Sequence, residues 1–206
     1  MAFWCWTERV TSFVFYRSLA AAVFSLLVCL GVTSCRSRPE LPTLGSIPAF
    51  ELTDQTGAPF HSELALNKKI WIADFFFTNC PGPCPRMSSQ LHQAQAALAG
   101  DDRVRIVSFT VDPKRDTPPV LAEYSRHFEA VPGKWFFLTG NMAVLQKLGR
   151  EDFKLNDVDG SLDHSERFVL VDGASRIRGY YQTSEKDAIP RLIADARQLL
   201  KATKYK

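Results

Sequence analysis

Residues 69–85 read KIWIADFFFTNCPGPCP, and the order of features within them decides the architecture of the surrounding domain. The first nine residues form a dense apolar run rich in aromatic and β-branched side chains, as expected for a strand covered on both faces. A short loop follows, carrying Cys80, Cys84 and three prolines. From Pro85 onward Met87, Leu91, Ala94 and Leu98 recur at helical spacing, and Gly100 ends the run. A buried strand feeding a helix through a tight loop is the unit from which α/β domains are built.

Working outward, residues 104–111 (VRIVSFTV) predict the next strand, and Asp116-Thr117-Pro118 starts a helix with proline at an early position. Leu121, Tyr124 and Phe128 form the apolar side of that helix. Residues 135–138 predict a strand and residues 142–148 a short helix. Residues 168–171 and 177–181 pair as a hairpin across Asp172-Gly173. The last helix spans about residues 186–202, with Ile189, Leu192, Ile193, Ala196 and Leu200 on one face. Upstream, residues 47–60 (IPAFELTDQTGAPF) alternate around Asp54-Gln55-Thr56-Gly57 and predict another hairpin. The fold class is therefore α/β: a mixed central sheet flanked by helices, with an N-terminal β-hairpin extension. No internal repeat or low-complexity tract interrupts it.

The whole chain has 206 residues, 46% hydrophobic and 23% charged, which excludes disordered, collagen-like and coiled-coil classes. Its 25 basic and 22 acidic residues give a formal charge of +3. So small an excess does not argue for nucleic acid as a partner, which would call for Lys and Arg clustered on one element. Seventeen uncharged residues, 18–34, follow Arg17 and precede Arg36. That run is slightly short for a permanent span of roughly 20 residues and matches the apolar region of a secretory signal. Val32-Thr33-Ser34-Cys35 resembles the lipobox of bacterial lipoproteins, which implies cleavage before Cys35 and lipid on its thiol. The other reading is an uncleaved signal anchor. Either way the expected protein is exported, membrane-tethered and facing the bacterial periplasm. The expected boundaries are 1–34 for the signal or anchor, 35–45 for a Pro/Gly-containing linker, and 46–206 for the domain.

Cys80 and Cys84 sit at a sheet edge beside a helix start, where the helix dipole favours thiolate over thiol. Four residues apart, their sulfurs face the same way if the turn between them is helical. They can close a disulfide or share a metal. An inert staple is the plainer alternative, but so short a loop constrains the unfolded chain by only ~2 kcal/mol.

Three motifs occur in order: Thr78-x-Cys80-Pro81-x-x-Cys84-Pro85-x-Met87, then Val111-Asp112-Pro113-x-x-Asp116-Thr117-Pro118, then Asp163-His164-Ser165. Together they resemble the Sco (SenC) family of copper chaperones, over roughly residues 47–200. The resemblance implies a thioredoxin-like fold and copper bound by Cys80, Cys84 and His164. It also implies a role in building the copper centre of cytochrome c oxidase, whose copper-bearing subunit, or another copper protein, is then the partner. The family often carries an acidic residue between its cysteines, where Gly82 and Pro83 stand here. Two thiolates and an imidazole form a soft set suited to Cu(I), with Cu(II) left open. Structural zinc would want a fourth protein ligand. No proline stands just before the strand at residue 168, where ordinary thioredoxins carry a cis-proline beside their cysteines.

Asp112 and Asp163 are candidates to support the metal site, while capping the following helix is the simpler role for Asp116. His61, His92 and His127 are read as solvated histidines without a role. The rival function is a thiol-disulfide reductase using Cys80 and Cys84 on exported or copper-site cysteines. Such an enzyme needs no ligand at His164, and thioredoxin-type oxidoreductases place two residues between their cysteines where this chain has three. A peroxiredoxin is set aside, because its Pro-x-x-x-Thr-x-x-Cys pattern would require proline where Asp74 stands.

Overall fold

A computed structural model of the chain describes residues 39–155 and 165–203. In chain order the elements are β1 (Gly45–Ser46), β2 (Glu51–Asp54), β3 (Pro59–His61), α1 (Ser62–Ala65), β4 (Ile70–Phe76), α2 (Pro83–Ala97), β5 (Val104–Thr110), α3 (Pro118–His127), β6 (Trp135–Thr139) and α4 (Met142–Lys147). A single turn of π-helix, Leu148–Asp152, continues α4, and β7 (Arg167–Val171), β8 (Arg176–Gln182) and α5 (Ala188–Thr203) complete the described part. The eight strands form one sheet in the order β1-β8-β7-β4-β5-β6-β2-β3. β4 pairs with β5 and β5 with β6 in parallel, and the remaining neighbours are antiparallel.

The apolar run at residues 70–76 is the centre of this sheet, and all seven of its residues are buried. Alternation along a strand sends successive side chains to opposite faces. Trp71 and Phe75 point to one side, where both meet Phe153 edge-on and Phe75 stacks on Phe109. Phe153 reaches them because it follows directly on the π-turn. Phe76 points to the other side, towards Tyr124 of α3 and Phe137 of β6. The helices α2, α3 and α5 bury their apolar stripes on that face, among them Met87, Leu91, Leu121 and Leu192. By the same alternation Asp74 shares the helix-covered face with Phe76.

Two features of the sheet carry no alternating sequence pattern. Strand β1 is only two residues long and adds to β8 through Gly45 and Ser46. The buried guanidinium of Arg178 in β8 donates to the Pro42 carbonyl at 2.9 Å and also to the Leu41 carbonyl, while bonding Asp172 Oδ2 at 2.8 Å. Arg176 also reaches Asp172, so one carboxylate organises the β7–β8 turn and residues 41–46 together. The helix expected from Pro85 begins at Pro83, which places Cys84 inside its first turn. Proline suits that position because its missing N–H has no intrahelical partner there.

At Gly173 a β-carbon would lie 3.0 to 3.2 Å from backbone atoms of Lys68. Lys68 itself holds a left-handed backbone, φ 55°. Gly173→Ala should therefore destabilise the protein by about 1–3 kcal/mol, through forced displacement of one turn against the other. Equilibrium denaturation measures that loss, and an unchanged midpoint would show that the two turns separate freely.

Candidate metal centre

Strand β4 delivers the chain to the sheet's C-terminal edge, the loop turns at residues 78–82, and α2 begins with Pro83. Cys84 is fully buried and Cys80 is 8% exposed, and neither is in a disulfide. A side-chain hydrogen bond joins them, so the two sulfurs are neighbours. The helix start was expected to favour thiolate. Burial overrides it at Cys84: desolvation drives the thiol's pKa well above its ordinary value of 9.0, against a backbone hydrogen bond with Phe77. Cys80 and the buried Asp74 push it the same way as burial.

Asp74 is 1% exposed, and neither of its oxygens has a partner of good hydrogen-bonding geometry. Burial raises its pKa from 3.8 to about 7, with the Ser108 hydroxyl only partly countering it. That hydroxyl also accepts from Trp135 Nε1 at 2.9 Å. Tyr124, on the same face, bonds Ser88 Oγ through its hydroxyl at 3.0 Å, and its pKa too is raised, by burial first and then by Cys84, Asp74 and Cys80. Asp74, Cys80, Cys84 and Tyr124 thus form a nest of acids, and among the described residues the groups that most shift Asp74, Cys84 and Tyr124 include no basic side chain. An arrangement of this kind resists losing protons until a cation arrives to compensate.

Asp116 holds the other side of the loop. Its carboxylate accepts from Thr78 Oγ1 at 2.5 Å, Thr78 N at 3.2 Å and Thr110 Oγ1 at 2.5 Å. It does not cap α3, whose N-cap is Thr117 without a side-chain bond. Capping was the wrong assignment because Thr78, remote in sequence, supplies the stronger donors. Asp112 is nearly buried, donates its N–H to Thr110 Oγ1 at 2.9 Å, and pairs with Arg115 at 3.1 Å.

Cys35, Asp163 and His164 lie outside the described residues. Ser165, the residue after His164 in the sequence, is buried, and Glu166 pairs with Arg86 at 2.6 Å. Arg86 stands two positions after Cys84, and Glu166 two positions after His164. Arg86 and Gln90 also donate to the Thr183 carbonyl, at 3.3 and 3.0 Å. Elsewhere, His92 Nδ1 lies 3.1 Å from the Phe128 carbonyl, His127 packs edge-on against Phe128, and His61 faces Glu51 at 3.6 Å. Among the described residues no group of three or more His, Cys, Asp or Glu is placed to hold a metal ion. Among them, too, no helix is long and apolar enough to cross a membrane.

The acid nest was missed in the sequence although it left a signal, a single aspartate inside an otherwise apolar strand. The Thr78–Asp116 link had none, since no short-range pattern pairs residues 38 positions apart.

The eight-stranded mixed sheet, the helix-covered face and the paired thiols at the strand-to-helix junction define a thioredoxin-like protein with a cysteine site at the sheet's C-terminal edge. The SCO1/SenC family model matches residues 41–201, and the chain belongs to that family. A SCO1/SenC family lipoprotein from Bacillus anthracis superposes with a TM-score of 0.71 at 27% identity, covering 79% of this chain and 99% of that one. BsSco, in which a disulfide switch has been identified and which is a member of the Sco family of cytochrome c oxidase assembly proteins, superposes at 0.68 with 27% identity, over 78% of this chain and 98% of its own. Yeast Sco1 with copper bound gives 0.58 at 26% identity, over 76% and 94%.

Proposed function

We propose that this protein carries a copper ion on Cys80, Cys84 and His164 and delivers it for assembly of the copper centre of cytochrome c oxidase, from a membrane tether at its N-terminus. The observation that carries the reading is the pair of adjacent, buried sulfurs, joined in no disulfide and set in a nest of acids. Two thiols there can ionise together when a cation supplies the missing positive charge, and soft sulfur donors select Cu(I). A third donor from His164 would leave the metal open to an incoming ligand of the recipient, which transfer requires.

The Arg86–Glu166 pair supports the third donor. Glu166 stands two positions after His164 in the sequence, and its side chain meets Arg86 of α2, two positions after Cys84. The copper-bound yeast relative supports the cargo, BsSco supports the destination, and the B. anthracis lipoprotein supports lipid at Cys35.

Anaerobic Cu(I) titration of the reduced full-length chain against a competing chelator tests this. The wild type should bind one equivalent, and His164→Ala should weaken binding by roughly 100-fold or more, beyond what loss of an outer-shell partner costs. Unchanged affinity in that variant would remove His164 from the site, and no binding in the wild type would remove copper.

A further inference from the structure

Asp116 is 1% exposed, and the hydrogen bonds its carboxylate accepts come from Thr78 and Thr110. Thr78 lies two residues before Cys80, and Thr110 ends β5. A buried carboxylate without a cation is costly unless it is well supplied with donors. Here one oxygen takes the Thr78 hydroxyl, the other takes the Thr110 hydroxyl, and the Thr78 N–H lies between them at 3.4 and 3.2 Å. The arrangement ties the start of the cysteine loop to the β5 end and to the residue preceding the α3 N-cap.

The two cysteines are held differently. Cys84 is fixed by the first turn of α2 and by complete burial. Cys80 lies in the loop two residues after Thr78, so the hold on Thr78 bears on its approach to Cys84, beside the hydrogen bond between the two thiols. We propose that Asp116 is a positioning residue for the dithiol, setting the approach of Cys80 to Cys84 through Thr78. This deepens the reading of the same site as a copper carrier and rests on it for the metal, though not for the dithiol.

Holding two thiols together raises their effective concentration towards one another, and a looser loop lowers it. The test compares Asp116→Ala, Asp116→Asn, Thr78→Val and Thr110→Val in the full-length chain. Each is equilibrated in a dithiothreitol buffer, where the protein dithiol gives two electrons and two protons to oxidised dithiothreitol, yielding protein disulfide and reduced dithiothreitol. Asp116→Ala and Thr78→Val should each lower the equilibrium constant for disulfide about tenfold, a potential about 30 mV higher. Their double variant should fall no further, because both cut the same link.

Asp116→Asn keeps an acceptor for Thr78 and should stay within threefold of wild type. Thr110→Val removes a donor to the same carboxylate without touching the loop, so it should lower thermal stability while leaving the equilibrium within twofold. Equal shifts in Thr110→Val and Thr78→Val, or no shift in Thr78→Val, would make Asp116 a plain staple of the fold. Where Asp116→Ala fails to fold, Thr78→Val carries the test.

Cu(I) titration of the same proteins separates this proposal from the carrier reading. A wild type that binds no copper sinks the carrier and leaves the disulfide result standing. A wild type that binds copper, with Thr78→Val matching it in both assays, sinks the positioning role alone. With both correct, Thr78→Val should lose 10- to 100-fold in Cu(I) affinity, as outer-shell supports do.

Discussion

Asp74→Asn should leave the reduced, metal-free protein about as stable as wild type at pH 4 and more stable by up to about 4 kcal/mol at pH 8. The sign follows from the direction of the shift. The carboxyl has its ordinary pKa of 3.8 in the unfolded chain and about 7 in the fold. Between those values the folded state holds a proton that the unfolded state has released, so stability falls as pH rises through this window. Below pH 4 both states are protonated and nothing is lost, and above pH 7 the full cost of about 4 kcal/mol persists. Asparagine resembles the protonated acid and does not titrate. Denaturant midpoints of both proteins across pH 4–8, taken as a difference, measure the effect. Two parallel curves would mean that Asp74 does not titrate in this range. The same substitution should make the Cys84 thiol easier to ionise, because Asp74 is among the groups that oppose its thiolate.

The second large effect lies across the sheet. Arg178→Ala should cost about 3–5 kcal/mol, the usual penalty for removing one partner of a buried ion pair. The arginine side chain is 4% exposed and that of Asp172 is 8% exposed, so neither charge is screened by water. Burial alone would raise the pKa of Asp172, but Arg178, Arg176 and two backbone N–H groups outweigh it and leave it below 3.8. Asp172 therefore adds stability above its ordinary pKa that is lost as pH falls through its folded value. Without Arg178 the carboxylate keeps Arg176, an exposed partner, and the Leu41 and Pro42 carbonyls lose their donor. The acid unfolding transition of the variant should move to higher pH. A loss below about 1 kcal/mol at neutral pH would mean that Arg176 alone satisfies the carboxylate.

What the sequence made legible follows the range of the forces involved. The buried strand 70–76, both hairpins and the amphipathic helices are written in local periodicity, and each forms close to where expected. Strand β1 is not legible because it has no pattern of its own: its pairing with β8 adjoins a contact between Arg178 and carbonyls about 137 residues away. Of the π-turn at Leu148–Asp152, only Leu148 falls within an element expected from the sequence, the short helix over residues 142–148. The purpose of the π-turn appears only when Phe153 is seen against Trp71 and Phe75.

The cysteine site divides along the same line. Residue types and spacing pointed to Cys80 and Cys84 as the reactive pair. The ionisation of Cys84 departs from the expectation because the helix dipole is a local property, whereas burial there depends on the whole packed layer of α2 over the sheet. Asp116 was given a local task, helix capping, for the same reason.

The two rims of the sheet end in stubs. At one side the outermost strand is two residues long, and at the other it is three residues long and begins with Pro59. A neighbouring molecule pairing with either of these terminal strands would find only two or three residues of backbone along which to zip. The strand with seven consecutive buried residues lies fourth from one rim and fifth from the other, out of reach of such a pairing.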